Sequence, residues 1–176
     1  MAQEIVAEEA LLRLTRLCGI NLITLYGVAA VGDVRRFTQS KKLVAYLGLN
    51  PSVSQSGNFQ GSGALKRHGR GALRALLIQS GKKLLEVINP LQKWGLALAA
   101  RRGRNKAAVA VARKLCVALW HVMIGHAIGT LERLDTLQTK LSKFATEIGP
   151  AALTAFGYNN KADFVEKKLY VLRSYP

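Results

Sequence analysis

Apolar residues recur at helical spacing along most of the chain. Residues 4–17 predict a helix with Ile5, Ala7, Leu11, Leu12 and Leu14 on its buried side. It ends at Cys18-Gly19-Ile20-Asn21, where the glycine can take a cap conformation its neighbours resist. A second helix is predicted from Leu22 to about Ala30, and a third over Lys41 to Leu47 with Ser40 as its cap. Gly71 to Val87 places Leu73, Leu76, Leu77, Ser80 and Leu84 on one stripe, with Arg74 and Lys82 to its side and back. Pro90 ends that helix or starts the next, Leu91 to about Ala100. The longest apolar helix follows, with Ala108, Val109, Ala112, Leu115, Cys116, Leu119, Trp120 and Met123 as its core face and Lys106 and Arg113 on its outer side. Leu131 to Glu147 repeats the pattern until Gly149-Pro150, and the tail from Phe156 to Leu172 packs back or meets a partner.

No stretch alternates as a strand should. The expectation is therefore an all-α, compact helical fold, with one domain over 1–130 and a helical extension over 131–176. Apolar-Gly-apolar between the first two helices is the pattern of a helix-hairpin-helix, in which the glycine turn and the next helix's amides approach a backbone phosphate. A plain helical turn on Gly19 fits the same residues.

One segment breaks the helical rhythm. Residues 47–74, LGLNPSVSQSGNFQGSGALKRHGRGALR, hold four serines between 52 and 62 and no acid. Pro51 fixes a turn and Gly57, Gly61 and Gly63 relax the backbone, so the segment reads as a long Gly/Ser-rich loop. A loop of this length inside a compact domain is functional or disordered.

Charge sharpens the picture. The 176 residues carry 26 Lys and Arg against 10 Asp and Glu, a formal charge of +16. Between residues 34 and 131 the only acid is Glu86, against seventeen Lys and Arg. Such an excess favours polyanions through counterion release and steering. The candidate phosphate contacts are Arg35 and Arg36; Lys66, Arg67, His68, Arg70 and Arg74 at the approach to a helix; and Arg101, Arg102, Arg104, Lys106 and Arg113. Phe37 and Tyr46 read as core residues. His68 suits a phosphate or solvent contact better than a base.

Cys18 and Cys116 sit in apolar patterns and read as buried thiols, outside any disulfide framework. His121 and His126, five apart, are poorly spaced to converge on a metal from one helix, so no metal site is assigned. The acidic start lacks signal-peptide order, and Arg113, Lys114, His121 and His126 interrupt the most apolar stretch. A cytoplasmic, DNA-associated protein is expected.

These residues also carry a family pattern. LTRLCGINLITLYGVAAVGDVRRF, KKLVAYLGLNP, SGN with GALKRHGRGALRALLIQSGKKLL, and GRNKAAVAVARKLCVALWHVM occur in order over roughly residues 11 to 125. Together they resemble the C-terminal, serine-bearing domain of a bacterial insertion-sequence transposase family, whose N-terminal half is a Holliday-junction-resolvase-like domain with four carboxylates. The resemblance implies DNA strand exchange, with Ser56 of Ser56-Gly57 as the nucleophile that links covalently to DNA. It also implies a structured guide RNA as a partner, and magnesium held by the carboxylate domain with no cofactor in this chain. Cys18 stands where the family's usual proline precedes the hairpin glycine.

The chemistry is consistent. A serine hydroxyl needs a base or metal to activate it and cations to stabilise charge at phosphorus. The four-carboxylate domain is expected to lie outside this chain, as the missing part of an interrupted gene or as a separate half. Binding without cleavage is expected alone, and catalysis only with that half or in a higher assembly. A helix-hairpin-helix-like DNA- or RNA-binding module without a chemical role for Ser56, and a ribosome-associated RNA-binding protein, are the competing readings.

Overall fold

The computed structural model describes residues 8–56, 59–65, 71–126 and 131–174, over 51–56 and 59–65 by backbone alone. In chain order the elements are α1 (Glu9–Arg13), a 3-10 turn (Leu14–Arg16), α2 (Leu22–Ala29), a 3-10 turn (Val34–Arg36), α3 (Ser40–Tyr46), β1 (Pro51–Ser56), β2 (Phe59–Leu65), α4 (Gly71–Leu84), α5 (Gln92–Arg102), α6 (Arg104–Met123), a 3-10 turn (Leu134–Thr136), α7 (Leu137–Ile148), α8 (Pro150–Ala155) and α9 (Lys161–Ser174). Packing groups them into two units. One combines residues 1–32 with 121–176, and the other is the continuous stretch 33–120.

The first unit is built on a junction between distant parts of the chain. Leu17 pairs with Glu132 as an isolated antiparallel bridge. The Cys18 amide donates to the Leu131 carbonyl at 2.9 Å, and the Arg133 amide to the Arg16 carbonyl at 2.7 Å. Lys140 of α7 donates its ammonium to the carbonyls of Thr15 (2.9 Å) and Leu17 (2.8 Å).

These bonds explain two departures from the helical reading. The helix expected over 4–17 gives way after Arg13 to a 3-10 turn, because the carbonyls of Thr15, Arg16 and Leu17 are taken by non-helical donors. The helix expected from Leu131 begins only at Leu137, since residues 131–133 are engaged by that same junction. The tail packs back, one of the two alternatives open to it. Phe164 is fully buried, its ring 6.4 Å from Phe144 and edge-on to Tyr158 at 5.0 Å, and Leu153 and Leu172 are buried on either side of it in sequence order.

In the second unit the α4 stripe behaves as its spacing predicts: Leu73, Leu77, Ser80 and Leu84 are buried and Leu76 is half-buried. On α6, Ala108, Ala112, Leu115, Cys116, Leu119 and Met123 are buried, while Val109 and Trp120 are half-buried. Trp120 donates its indole N–H to the Phe37 carbonyl at 3.0 Å. α4 and α6 approach closely at Gly81, where a Cβ would collide with the Ala108 carbonyl oxygen and lie 3.1 Å from the Ala112 nitrogen. At Gly95 of α5 the contact is with side chains instead, those of Leu85 and Val111. Ser40 is the first residue of α3, and its neighbour Gln39 stands at the cap position without a side-chain cap bond.

The fold is helical with one exception. Residues 51–56 and 59–65, expected as part of a long loop, form two antiparallel strands in which Pro51 pairs with Leu65, Val53 with Ser62, Ser54 with Gly61, Gln55 with Gln60 and Ser56 with Phe59, with a bulge between Pro51 and Val53. Serine, glycine and glutamine leave these strands without the apolar alternation that marks a half-buried strand. The signal that was present is the link. Gly57 and Asn58 lie outside the described residues, but as a sequence pair Gly-X is a favoured composition for a two-residue hairpin connection.

Both thiols are free and buried, as their apolar settings suggest. Among the described residues no helix is long and apolar enough to cross a membrane.

Candidate nucleic-acid interface

The charge is segregated. Residues 33–120 carry seventeen Lys and Arg against two acids, Asp33 and Glu86, whereas residues 1–32 and 121–176 carry nine against eight. The second unit therefore accounts for nearly all of the formal +16.

Several local devices position these cations. Asp33 caps the turn that displays Arg35 and Arg36, accepting from the Arg35 amide at 2.8 Å. Both arginines are exposed. The Arg36 guanidinium lies 4.8 Å over the Phe37 ring and 4.9 Å over the Tyr46 ring, so it rests against aromatic surface while still exposed. Phe37 is buried and Tyr46 half-buried, which agrees with their assignment to the core.

Gly103, with φ of 85°, breaks α5 from α6 and sets four exposed cations around one joint: Arg101 and Arg102 in the last turn of α5, Arg104 and Lys106 in the first turn of α6. Glu86 serves two cations at once, 3.4 Å from Lys83 and 3.4 Å from Arg104. At exposed pairs this wide the neutralisation is slight. Arg113 departs from the outer position expected of it. It is half-buried, with its guanidinium 3.3 Å from the Asn50 side-chain oxygen.

Arg74 lies in the first turn of α4, half-buried. Lys66, Arg67, His68 and Arg70 lie outside the described residues. Ser56 is the last residue of β1, paired with Phe59 at the end of the hairpin ladder. Gly19 belongs to the first unit and takes φ of 77°, the left-handed conformation predicted for it. Asn21 caps the following helix, accepting from the Thr24 amide at 2.8 Å and the Thr24 hydroxyl at 2.9 Å. Sequence reasoning placed Gly19 with the arginines, whereas packing assigns it to the unit whose charges nearly balance.

His121 and His126 do meet, though not along one helix. The helix ends at Met123, Gly125 turns the chain with φ of 92°, and the His126 amide donates back to the His121 carbonyl at 2.9 Å. The rings stack with centroids 5.6 Å apart and the two Nδ1 atoms 3.3 Å apart. Among the described residues no three His, Cys, Asp or Glu side chains converge as a metal-ligand set.

Trp94 escaped the sequence reading altogether. It stands in the first turn of α5, 38% exposed, with the Lys114 ammonium 4.4 Å over its ring. The pattern that could have found it is an aromatic residue on an otherwise weakly buried, basic helix, since only Gly95 of α5 is buried.

The family model described as "Transposase IS116/IS110/IS902 family" matches residues 12–93. A transposase for insertion sequence element IS1111A from Coxiella burnetii is 36% identical over 122 residues, covering 66% of this chain and 34% of that protein. A probable family 20 transposase from Pseudomonas aeruginosa is 33% identical over 116 residues, covering 63% of this chain and 34% of that protein. The chain thus spans about a third of the length of the curated relatives it matches. No solved structure matches it at a significant level. The family-model match runs from α1 through α3 and α4 into α5, and by these comparisons the chain is similar to insertion-sequence transposases of the IS110 and IS1111 kind.

Proposed function

We propose that this chain is a nucleic-acid-binding portion of an insertion-sequence transposase, holding DNA backbone on the unit formed by residues 33–120. The observation that carries the reading is the charge segregation: a helical unit with seventeen cations and two acids has few ion-pair partners of its own. Arg35, Arg36, Arg101, Arg102, Arg104 and Lys106 are the phosphate contacts among its exposed residues, joined by Arg74, Arg113 and the Lys66–Arg70 cluster. Ser56 is the candidate nucleophile for strand exchange. Its hydroxyl would attack a phosphorus, displace a deoxyribose oxygen and form a phosphoserine link to DNA. A carboxylate domain outside this chain would hold the magnesium that supplies activation of the hydroxyl, and a structured RNA or further copies would complete the assembly.

A second reading, a non-catalytic helix-hairpin-helix-like module that binds through Gly19, is favoured by the left-handed turn there. The near-balanced charge of the unit containing Gly19 weighs against it as the main contact.

The test is anisotropy binding of the purified chain to duplex DNA, branched DNA and structured RNA over a salt series. Tight binding with a steep salt slope supports the reading, and no binding at low salt overturns it. For Ser56, the matching test is strand transfer by Ser56→Ala in the presence of the carboxylate domain. Unchanged activity removes Ser56 from the chemistry.

A further inference from the structure

Trp94 is a large apolar side chain left partly in solvent, and it is not placed there by neglect of packing. Gly95 is its neighbour on α5, and the Leu85 and Val111 side chains close on Gly95 so tightly that a Cβ would lie 2.5 Å from one and 3.0 Å from the other. This contact fixes the rotation of α5, which leaves Trp94 38% and Leu96 43% exposed. The Lys114 ammonium then sits 4.4 Å over the indole. No carboxylate forms an ion pair with Lys114 among the described residues. An indole with a cation on its ring, on a unit of strongly positive charge, matches the two requirements of a single-strand site: a flat π surface for a base and a cation for the adjoining phosphate.

We infer that Trp94 and Lys114 form a stacking site for an unpaired base, so that the basic unit holds single-stranded nucleic acid more tightly than phosphate contacts alone would allow. This rests on the nucleic-acid reading above and names the form of ligand it takes. The occupant follows from charge and shape. A duplex buries its base faces in its own stack and offers the indole nothing but backbone, whereas an unpaired strand offers a ring. An acidic peptide would satisfy Lys114 but leaves the indole without a stacking partner.

The experiment uses the full chain and three probes of equal length: a fluorescent oligothymidylate, the same strand made abasic, and a blunt duplex. Trp94→Ala, Trp94→Leu and Trp94→Phe are compared with wild type, with circular dichroism confirming that each variant is folded. The expected result is a loss of roughly tenfold to a hundredfold for oligothymidylate with Ala and Leu, the range set by one aromatic–base stack, and near-wild-type binding with Phe. Abasic and duplex affinities should stay at wild-type values, as should the salt slope for all three probes. If Ala and Leu weaken the abasic strand or the duplex as much as oligothymidylate, or weaken none of the probes, the stacking site is wrong while the phosphate surface stands. If wild type binds no probe at low salt, the nucleic-acid reading and this site fail together.

Discussion

The Arg16 guanidinium meets the Glu132 carboxylate at 2.5 Å across 116 residues of sequence, with the two side chains only 8% and 10% exposed. Removing one partner of a buried pair strands the other charge, which is far costlier than losing an exposed pair. Glu132→Ala should destabilise the chain by about 3 kcal/mol in urea unfolding. The apolar double variant Arg16→Met with Glu132→Leu should recover most of that. An effect below about 0.5 kcal/mol for the single variant would place the pair in the solvated class.

Gly81 tests a contest between two effects of opposite sign. In an exposed helix Gly→Ala gains about 0.5–1 kcal/mol from backbone entropy. Here the added methyl collides with the Ala108 carbonyl oxygen, backbone against backbone. Overpacking of this kind costs about 1–3 kcal/mol, so Gly81→Ala should lower stability. A higher unfolding midpoint for the variant would mean that α4 and α6 separate freely.

The buried Cys116 thiol gives a pH dependence. Burial pushes it up to about 12 from an ordinary value of 9.0. Between these values the unfolded chain loses the proton and the folded chain keeps it, so folding stability falls as pH rises above about 9. The contribution of this one group has a limiting slope of about 1.4 kcal/mol per pH unit. Cys116→Ala should lower stability at pH 7 through the missing sulfur but flatten the decline between pH 9 and 11. Parallel curves for the two proteins would contradict this account.

The joint at Gly103 yields a binding prediction. Replacing Arg101, Arg102 and Lys106 together by Ala should weaken duplex binding and reduce the slope of log affinity against log salt by about 0.9 for each phosphate that is no longer neutralised. Equal slopes in wild type and variant would take this cluster off the interface.

How much of this was legible in the sequence depends on the range of the forces involved. The stripe Leu73, Leu77, Leu84 and the Ala108-to-Met123 face were readable because a helix repeats its burial every three or four residues. The basic span from Arg35 to Lys114 was readable because charge needs no fold to be counted. The boundaries near Leu14 and Leu131 were not. They are decided by Lys140, Arg16 and Glu132, which act on residues more than a hundred positions away. The hairpin was missed since its strands lack alternation and its only local sign is Gly57-Asn58. His121 and His126 converge through a turn at Gly125 that helical spacing does not anticipate.

The junction of Leu17 with Glu132 also sets an order of events. It closes a loop of more than a hundred residues, an entropic cost that local helices do not share. Residues 33–120 form an uninterrupted stretch and can be completed as they leave the ribosome. The unit containing Leu17 must wait until Glu132 and Lys140 have been synthesised. During translation the basic stretch is therefore finished first, while the turn at Leu14–Arg16 remains without the α7 helix it packs against and the carbonyls of Thr15 and Leu17 remain without Lys140.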